Sequence, residues 1–315
     1  SQYRLVPTAL RRGKAKRAEP AAQINLTLGY RPPYQWDAML AFLASRAIPG
    51  VEVIQDGTYA RAVVLAGSDG APHCGWIRVG HLLQKSALNV QASVSLLPVL
   101  PLVLARVRHL FDLGCDPQAV HEGLRTMNDL APDLQVLGRR LPGSFDPFEM
   151  AVRAVLGQQI TVGAARTLAA RIVNHYGTPV QTSIAGLTHV FPSPERILAL
   201  EGGIESHMGP LGVIRTRART IRALAQALVA QDLDFGSGAE PEREVEKLLE
   251  LPGIGPWTAQ YIAMRAMAWS DAFLPTDYGI KKALAPRTPK QMEALAQGWS
   301  PWRSYAMINL WNSLH

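Results

Sequence analysis

Two stretches carry residues whose types and spacing could do chemistry. The first is Leu251-Pro-Gly-Ile-Gly-Pro-Trp-Thr258. Gly253 and Gly255 lack a Cβ and can take positive φ, so their amides can approach a ligand closely, and Pro256 suits the first turn of a following helix. Bare amides at a helix N-terminus bind anions, and for a basic chain the natural anion is a DNA phosphate. The second stretch is Phe273-Leu-Pro-Thr-Asp-Tyr278, which sets one carboxylate, Asp277, among aromatic residues. On these residues alone Asp277 or Thr276 reads first as an N-cap for the segment Tyr278 to Leu284.

The segments flanking the glycines set their geometry. Val245, Leu248 and Leu249 after Pro241, and Tyr261, Ile262 and Met264 after the hairpin, repeat with a helical period. Two short helices joined by a tight Gly/Pro turn are therefore expected at about residues 241–268. The plain reading, a turn between two core helices, stays open for the hairpin taken alone.

Hairpin, tryptophan and Phe-Leu-Pro-Thr-Asp-Tyr together resemble the helix-hairpin-helix DNA glycosylase superfamily, and within it the AlkA-type 3-methyladenine DNA glycosylases II. The resemblance covers about residues 25–315. It implies an α+β fold, mostly α helix-hairpin-helix with an N-terminal TBP-like antiparallel α/β domain.

Composition narrows the setting. The 315 residues suit two or three compact units. Apolar residues make up 48% of the chain, and no apolar run approaches the roughly 18 residues of a membrane span. With no signal-peptide pattern, a cytoplasmic, nucleoid-associated protein is expected. Net charge is +7, which points to a polyanion. Six Lys/Arg against one Glu in residues 1–20 make most of it, and Arg215, Arg217, Arg219 and Arg222 form a second cluster that also reads as a solvated helix face. Cys74 and Cys115, the two cysteines, lack metal-ligand spacing and exclude a four-cysteine iron–sulfur loop. Buried free thiols are expected.

Along the chain, residues 1–22 read as a basic tail or linker whose Tyr3-to-Arg12 run resembles the end of an AraC-type helix-turn-helix. With Ser1 in place of Met, that suggests a fragment of an Ada-type regulator fused to a glycosylase. Residues 23–117 read as the α/β domain, with a helix at Trp36–Ala47 and strands at Val51–Gln55, Tyr59–Ala66, Cys74–Val79 and Val90–Leu97. Asp56-Gly57 and Asp69-Gly70 mark turns. Residues 118–315 read as helical. Asp146-Pro-Phe-Glu149 resembles a capping box, and the helix it opens is interrupted by Gly157-Gln-Gln-Ile-Thr161 before Val162–Tyr176 resumes. Trp299 and Trp302 read as core.

The resemblance assigns roles residue by residue. Asp277 is the carboxylate that stabilises charge on the sugar. Trp257, Tyr261, Tyr278 and Trp311 form the base pocket, completed by Phe42, although Trp311 reads equally as core. Gln159, where the family's familiar pattern has Leu, is the wedge that fills the vacated base position. Gly253 and Gly255 hold a DNA phosphate. The backbone carbonyls of Leu249, Leu251 and Ile254 hold a structural Na+ or K+, and the chemistry needs no cofactor. Bifunctional relatives carry a nucleophilic Lys just after the hairpin, where this chain has Trp257-Thr258, so no lyase activity is expected. The implied activity is monofunctional release of alkylated bases, 3-methyladenine and related, from double-stranded DNA by a monomer. The competing readings are a noncatalytic helix-hairpin-helix DNA-binding module and part of an alkylation-response regulator.

Overall fold

A computed structural model of the chain describes residues 23–236 and 238–314. The expected tail and helix-turn-helix remnant at 1–22 lie outside the described residues. The N-terminal part is one antiparallel sheet of β1 (Gln23–Gly29), β2 (Glu52–Gln55), β3 (Thr58–Ala66), β4 (Pro72–Leu82) and β5 (Ala87–Ser93), in the order β1-β5-β4-β3-β2. Asp56 and Gly57, at φ 51° and 68°, form the two-residue connection between Gln55 and its partner Thr58. Positive φ at both central residues matches the right-handed twist of the strands. Helix α1 (Trp36–Arg46) lays Trp36, Met39, Leu40 and Leu43 against the sheet, a spacing that lines one helical face. Helix α2 (Leu100–Leu110) adds Val103, Val107 and Leu110 to the same core.

Two features of the sheet differ from expectation. The strand expected at Val90–Leu97 ends at Ser93, and Val94–Val99 is a 3-10 turn. Serine hydroxyls take over from the ladder there: Ser93 Oγ accepts from Trp76 N at 3.1 Å, and Ser95 Oγ donates to Cys74 O at 2.7 Å. The first strand, β1, was not anticipated, although Gln23-Ile-Asn-Leu-Thr-Leu-Gly29 alternates polar and apolar residues. Of the two cysteines, Cys115 is buried and Cys74 only partly so; both are free thiols.

The rest is helical apart from a two-stranded ribbon of β6 (Thr178–Pro179) and β7 (His189–Val190). The helices are α3 (Pro117–Gly123), α4 (Pro147–Leu156), α5 (Val162–Tyr176), α6 (Pro194–Leu198), α7 (Ile204–Met208), α8 (Arg215–Val229), α9 (Pro241–Glu250), α10 (Pro256–Ala266), α11 (Tyr278–Ala283), α12 (Pro289–Ala296) and α13 (Arg303–Asn312). Many open with proline, whose missing N–H costs nothing in a first turn. One core forms around α4, α8 and α10, and a second around α13 with Trp299 at 1% exposure. Helix α10 serves both, Ala259, Ile262 and Ala263 facing the first and Met264 the second. The two cores thus diverge from one shared helix.

Sheet and helices are joined by buried charge. Arg61 of β3 bonds Glu149 of α4 at 2.7 Å, and Arg153 of α4 bonds Glu149 at 2.9 Å and Glu52 of β2 at 3.0 Å. Tyr59 OH and Ile48 N also donate to Glu52, at 2.7 and 3.0 Å. Glu149 is therefore no capping-box partner. Asp146 accepts from Glu149 N at 3.0 Å, but the Glu149 carboxylate is taken by the two arginines instead of returning to the cap.

Candidate active site

Between the two helical cores opens a cleft of about 480 Å³, and Asp277 lies in its wall. Asp277 is the N-cap of α11, its Oδ1 accepting from Ile280 N at 3.1 Å. The same carboxylate accepts from two indoles, Trp311 Nε1 to Oδ1 at 2.9 Å and Trp257 Nε1 to Oδ2 at 3.0 Å. Cap and cleft carboxylate, alternatives in the sequence, are one group. Three N–H donors from three elements fix both oxygens, which is the kind of preorganisation that makes a charge effective toward a developing cation.

Gly279 makes this geometry fit. An added Cβ there would stand 2.8 Å from Trp311 Cδ1 and 3.2 Å from Asp277 Oδ1, so any side chain would push the indole off the carboxylate. Glycine in the first turn of a helix was the available signal, and the sequence reading passed over it.

Trp257 and Tyr261 stack at 5.1 Å between centroids with an interplanar angle of 14°, and Trp311 meets Tyr261 edge-on at 6.4 Å. All three line the cleft, so Trp311 is wall as well as core neighbour. Tyr278 stands at the rim, 81% exposed. Phe42 is not in the wall: its ring is held behind it, 3.7 Å from Arg46 Cζ and 4.8 Å from Arg265 Cζ. Those guanidiniums line the cleft in its place. The expected pocket position of Phe42 is thus corrected to a cation–π support.

Arginines are what the sequence reading missed. Arg46, Arg153, Arg166, Arg265 and Lys282 line the cleft beside the single acid, Asp277. Arg153 is neutralised by Glu52 and Glu149. Arg265 is 4% exposed and donates to Pro142 O, to Gly143 O at 3.1 Å and to Tyr261 OH at 2.9 Å. Burial pushes the Tyr261 phenol up, but Arg265, Arg46 and Arg153 outweigh it and leave it below the ordinary tyrosine value. Because Tyr261 accepts from Arg265, its own hydroxyl proton is free to donate.

The hairpin between α9 and α10 has one strained glycine. Gly253 has φ +82°, and an added Cβ would lie 2.2 Å from Thr220 Oγ1. Gly255 has φ −100° and is the N-cap of α10, with nothing within 4 Å of an added Cβ. Positive φ, expected for both, is needed at Gly253 alone, while Gly255 faces open space. Among the described residues, the carbonyls of Leu249 and Ile254 accept no hydrogen bond, and that of Leu251 accepts from Ile254 N at 3.2 Å. Pro252 O accepts from Thr220 Oγ1 at 2.7 Å.

Gln159 is exposed at the tip of the loop between α4 and α5, at φ +55°. Its neighbour Gln158 turns inward to the hairpin, donating to Gly253 O at 2.9 Å and Thr258 Oγ1 at 3.0 Å. Asp277, Trp257, Tyr261, Tyr278 and Trp311 are thus brought into one cleft, whose wall also takes in Gly157, Ile160 and Thr161 of the Gln159 loop.

Residues 25–146 match the AlkA N-terminal domain, and residues 152–301 match the HhH-GPD superfamily of base excision DNA repair proteins. A relative from Escherichia coli (strain K12), DNA-3-methyladenine glycosylase 2, is 36% identical over 285 residues, covering 90% of this chain and 96% of the relative. The chain belongs to the HhH-GPD superfamily. The first matched region ends at Asp146, the N-cap of α4, and the second begins at Val152 within that helix, whose Glu149 and Arg153 enter the buried charge network. A second relative, a probable bifunctional transcriptional activator/DNA repair enzyme AlkA of Mycobacterium tuberculosis, is 37% identical over 98% of this chain, which spans 61% of that relative's length. The fold is shared with a 3-methyladenine DNA glycosylase from Archaeoglobus fulgidus at TM-score 0.74 and 21% identity, over 91% of this chain and 97% of that one.

Proposed function

We propose that the protein is a monofunctional DNA glycosylase that releases alkylated bases, 3-methyladenine and related, from double-stranded DNA as a first step of base excision repair. The observation that carries this is the Asp277 carboxylate, held by Trp257 and Trp311 beside a tryptophan–tyrosine stack in a cleft of about 480 Å³. A base must leave the stack to reach such a cleft. Alkylation at a ring nitrogen makes the base cationic, so it is attracted to the faces of Trp257 and Tyr261 and departs without a general acid. The C1′–N bond breaks with its electron pair going to the base, Asp277 stabilises the positive charge left on the sugar, and water adds at C1′ and gives up a proton to solvent, leaving an abasic site.

The remaining parts follow from their positions. Gly255 presents the N-terminus of α10 to a phosphate, and Gln159 enters the gap left by the base. The carbonyls of Leu249, Leu251 and Ile254, two of them without a competing donor, suit a Na+ or K+ that adds positive charge beside the phosphate. No lyase step is included: Trp257-Thr258 offers no amine, and Lys282 is the one lysine in the cleft wall. A monomer acting on chromosomal DNA in the cytoplasm completes the proposal. No helix among the described residues is long and apolar enough to cross a membrane.

Incubation with methylated duplex DNA and chromatography of the released bases tests the reading. Free 3-methyladenine, with strand breaks only after alkali, is expected. DNA binding without base release would make the protein a noncatalytic clamp, and a borohydride-trapped covalent complex would assign Lys282 a nucleophilic role.

A further inference from the structure

The two glutamines at the loop tip are treated differently by the fold. Gln159 points to solvent at φ +55°, a left-handed conformation that costs a non-glycine residue about 1 kcal/mol or more and persists only where the surroundings enforce it. Gln158 supplies the enforcement. Its side-chain nitrogen bonds Gly253 O at 2.9 Å and Thr258 Oγ1 at 3.0 Å. Because Gly253 O can only accept, the donor is the amide nitrogen. Its backbone carbonyl accepts from Arg217 Nη2 of α8. Residue 158 is thus fastened through both side chain and main chain, while residue 159 beside it is fastened by neither.

The far ends of these bonds are also fixed. The hairpin at Gly253 is itself held from α8: Thr220, one turn along that helix from Arg217, donates to Pro252 O at 2.7 Å and lies where an added Cβ on Gly253 would stand. Thr258, 3% exposed, is in the first turn of α10, next to Trp257. The loop tip, the phosphate-facing hairpin and the helix that carries the aromatic wall therefore share one polar junction.

We propose that Gln158 is a positioning residue that couples phosphate capture at the hairpin to insertion of Gln159 into the duplex. A wedge must push against base stacking, and a tip on an unsupported loop yields. Backed by Gln158, the tip moves only as the hairpin moves, so docking of the hairpin on a phosphate delivers Gln159 to a set depth. This rests on the wedge role of Gln159 given above.

The test uses Gln158→Ala, Gln158→Glu, Gln159→Ala and the double variants in the full chain. Insertion is read by 2-aminopurine fluorescence opposite an uncleavable tetrahydrofuran abasic site, which needs no catalysis. Base release is read on methylated duplex and on methylated single strand. Loss of the two hydrogen bonds should reduce insertion and duplex release about tenfold and leave single-strand release within about twofold, the scatter expected when no contact is lost. Gln159→Ala should then add little in the Gln158→Ala background, because residues that act as one unit are non-additive. Gln158→Glu keeps the shape but cannot donate to Gly253 O, so it should behave as the alanine variant. Wild-type insertion by Gln158→Glu, equal losses on duplex and single strand, or a Gln159→Ala effect of full size in both backgrounds would each overturn the coupling. A wild-type protein that shows insertion but no base release would sink the glycosylase reading and leave this one standing.

Discussion

Asp277 holds two jobs in one carboxylate, and Asp277→Asn separates them. Asparagine caps helices well, and its oxygen can keep Ile280 N and Trp311 Nε1, so thermal unfolding should shift little. Its amide nitrogen, however, faces Trp257 Nε1, donor against donor, and the negative charge is gone. Base release from alkylated duplex should fall about 100-fold or more, while affinity for an abasic duplex persists through phosphate contacts. A folded variant that releases base at the wild-type rate would leave Asp277 a cap only. Gly279→Ala tests the same geometry from behind: with Cβ 2.8 Å from Trp311 Cδ1, release should drop about tenfold, the cost of one misplaced donor. Thermal melting measured beside it should show the fold intact. The acid and the tryptophans were legible because they sit in short runs that resemble a known pattern. Arg46, Arg153 and Arg265 were not, because they come from α1, α4 and α10 and meet only through contacts across more than a hundred positions, such as Arg153 with Glu52.

At the level of the element, the hairpin's glycines should behave oppositely. Gly255 has an ordinary φ and open space around it, so Gly255→Val should fold normally and weaken binding to every duplex sequence alike, measured by fluorescence anisotropy. A change in base preference at unaltered affinity would count against a phosphate clamp. Gly253→Ala should instead lower thermal stability, since its φ is +82° and Thr220 Oγ1 occupies the Cβ position. Helices α9 and α10 were readable from period and proline, and β2 and β3 from the Asp-Gly turn between them. The end of β5 was not, since Val94 to Leu97 has strand composition, and what diverts it is Ser93 and Ser95 bonding to β4.

For the molecule as a whole, stability rests on buried charge where its parts meet. Arg61→Met should destabilise the fold by about 3–5 kcal/mol in chemical denaturation, because it leaves Glu149 buried with half its partners. Elsewhere Asp112, half-buried beside Tyr305 and Leu141, has its carboxyl pushed up to about 6 by burial, although bonds from Leu141 N and the Tyr305 hydroxyl and the charge of Arg140 pull it down. The folded state therefore takes up a proton as pH falls through about 6, whereas the unfolded chain waits until near 3.8. Above pH 6 the burial cost is present in full. Between about 6 and 4 the wild type should gain stability relative to Asp112→Asn, and the gap in melting temperature across that window is the measurement. A gap that does not change with pH would remove Asp112 from the account.

The order of the sheet also sets apart what its two edges can tolerate. Strand β2 meets the helical body through Glu52, whereas β1 lies at the opposite edge, with Gln23 beside Ser93. Four strand spacings separate the two edges, about 19 Å. A substitution on β1 is thus made at the edge farthest from the Glu52–Arg153 ion pair and should leave that junction in place.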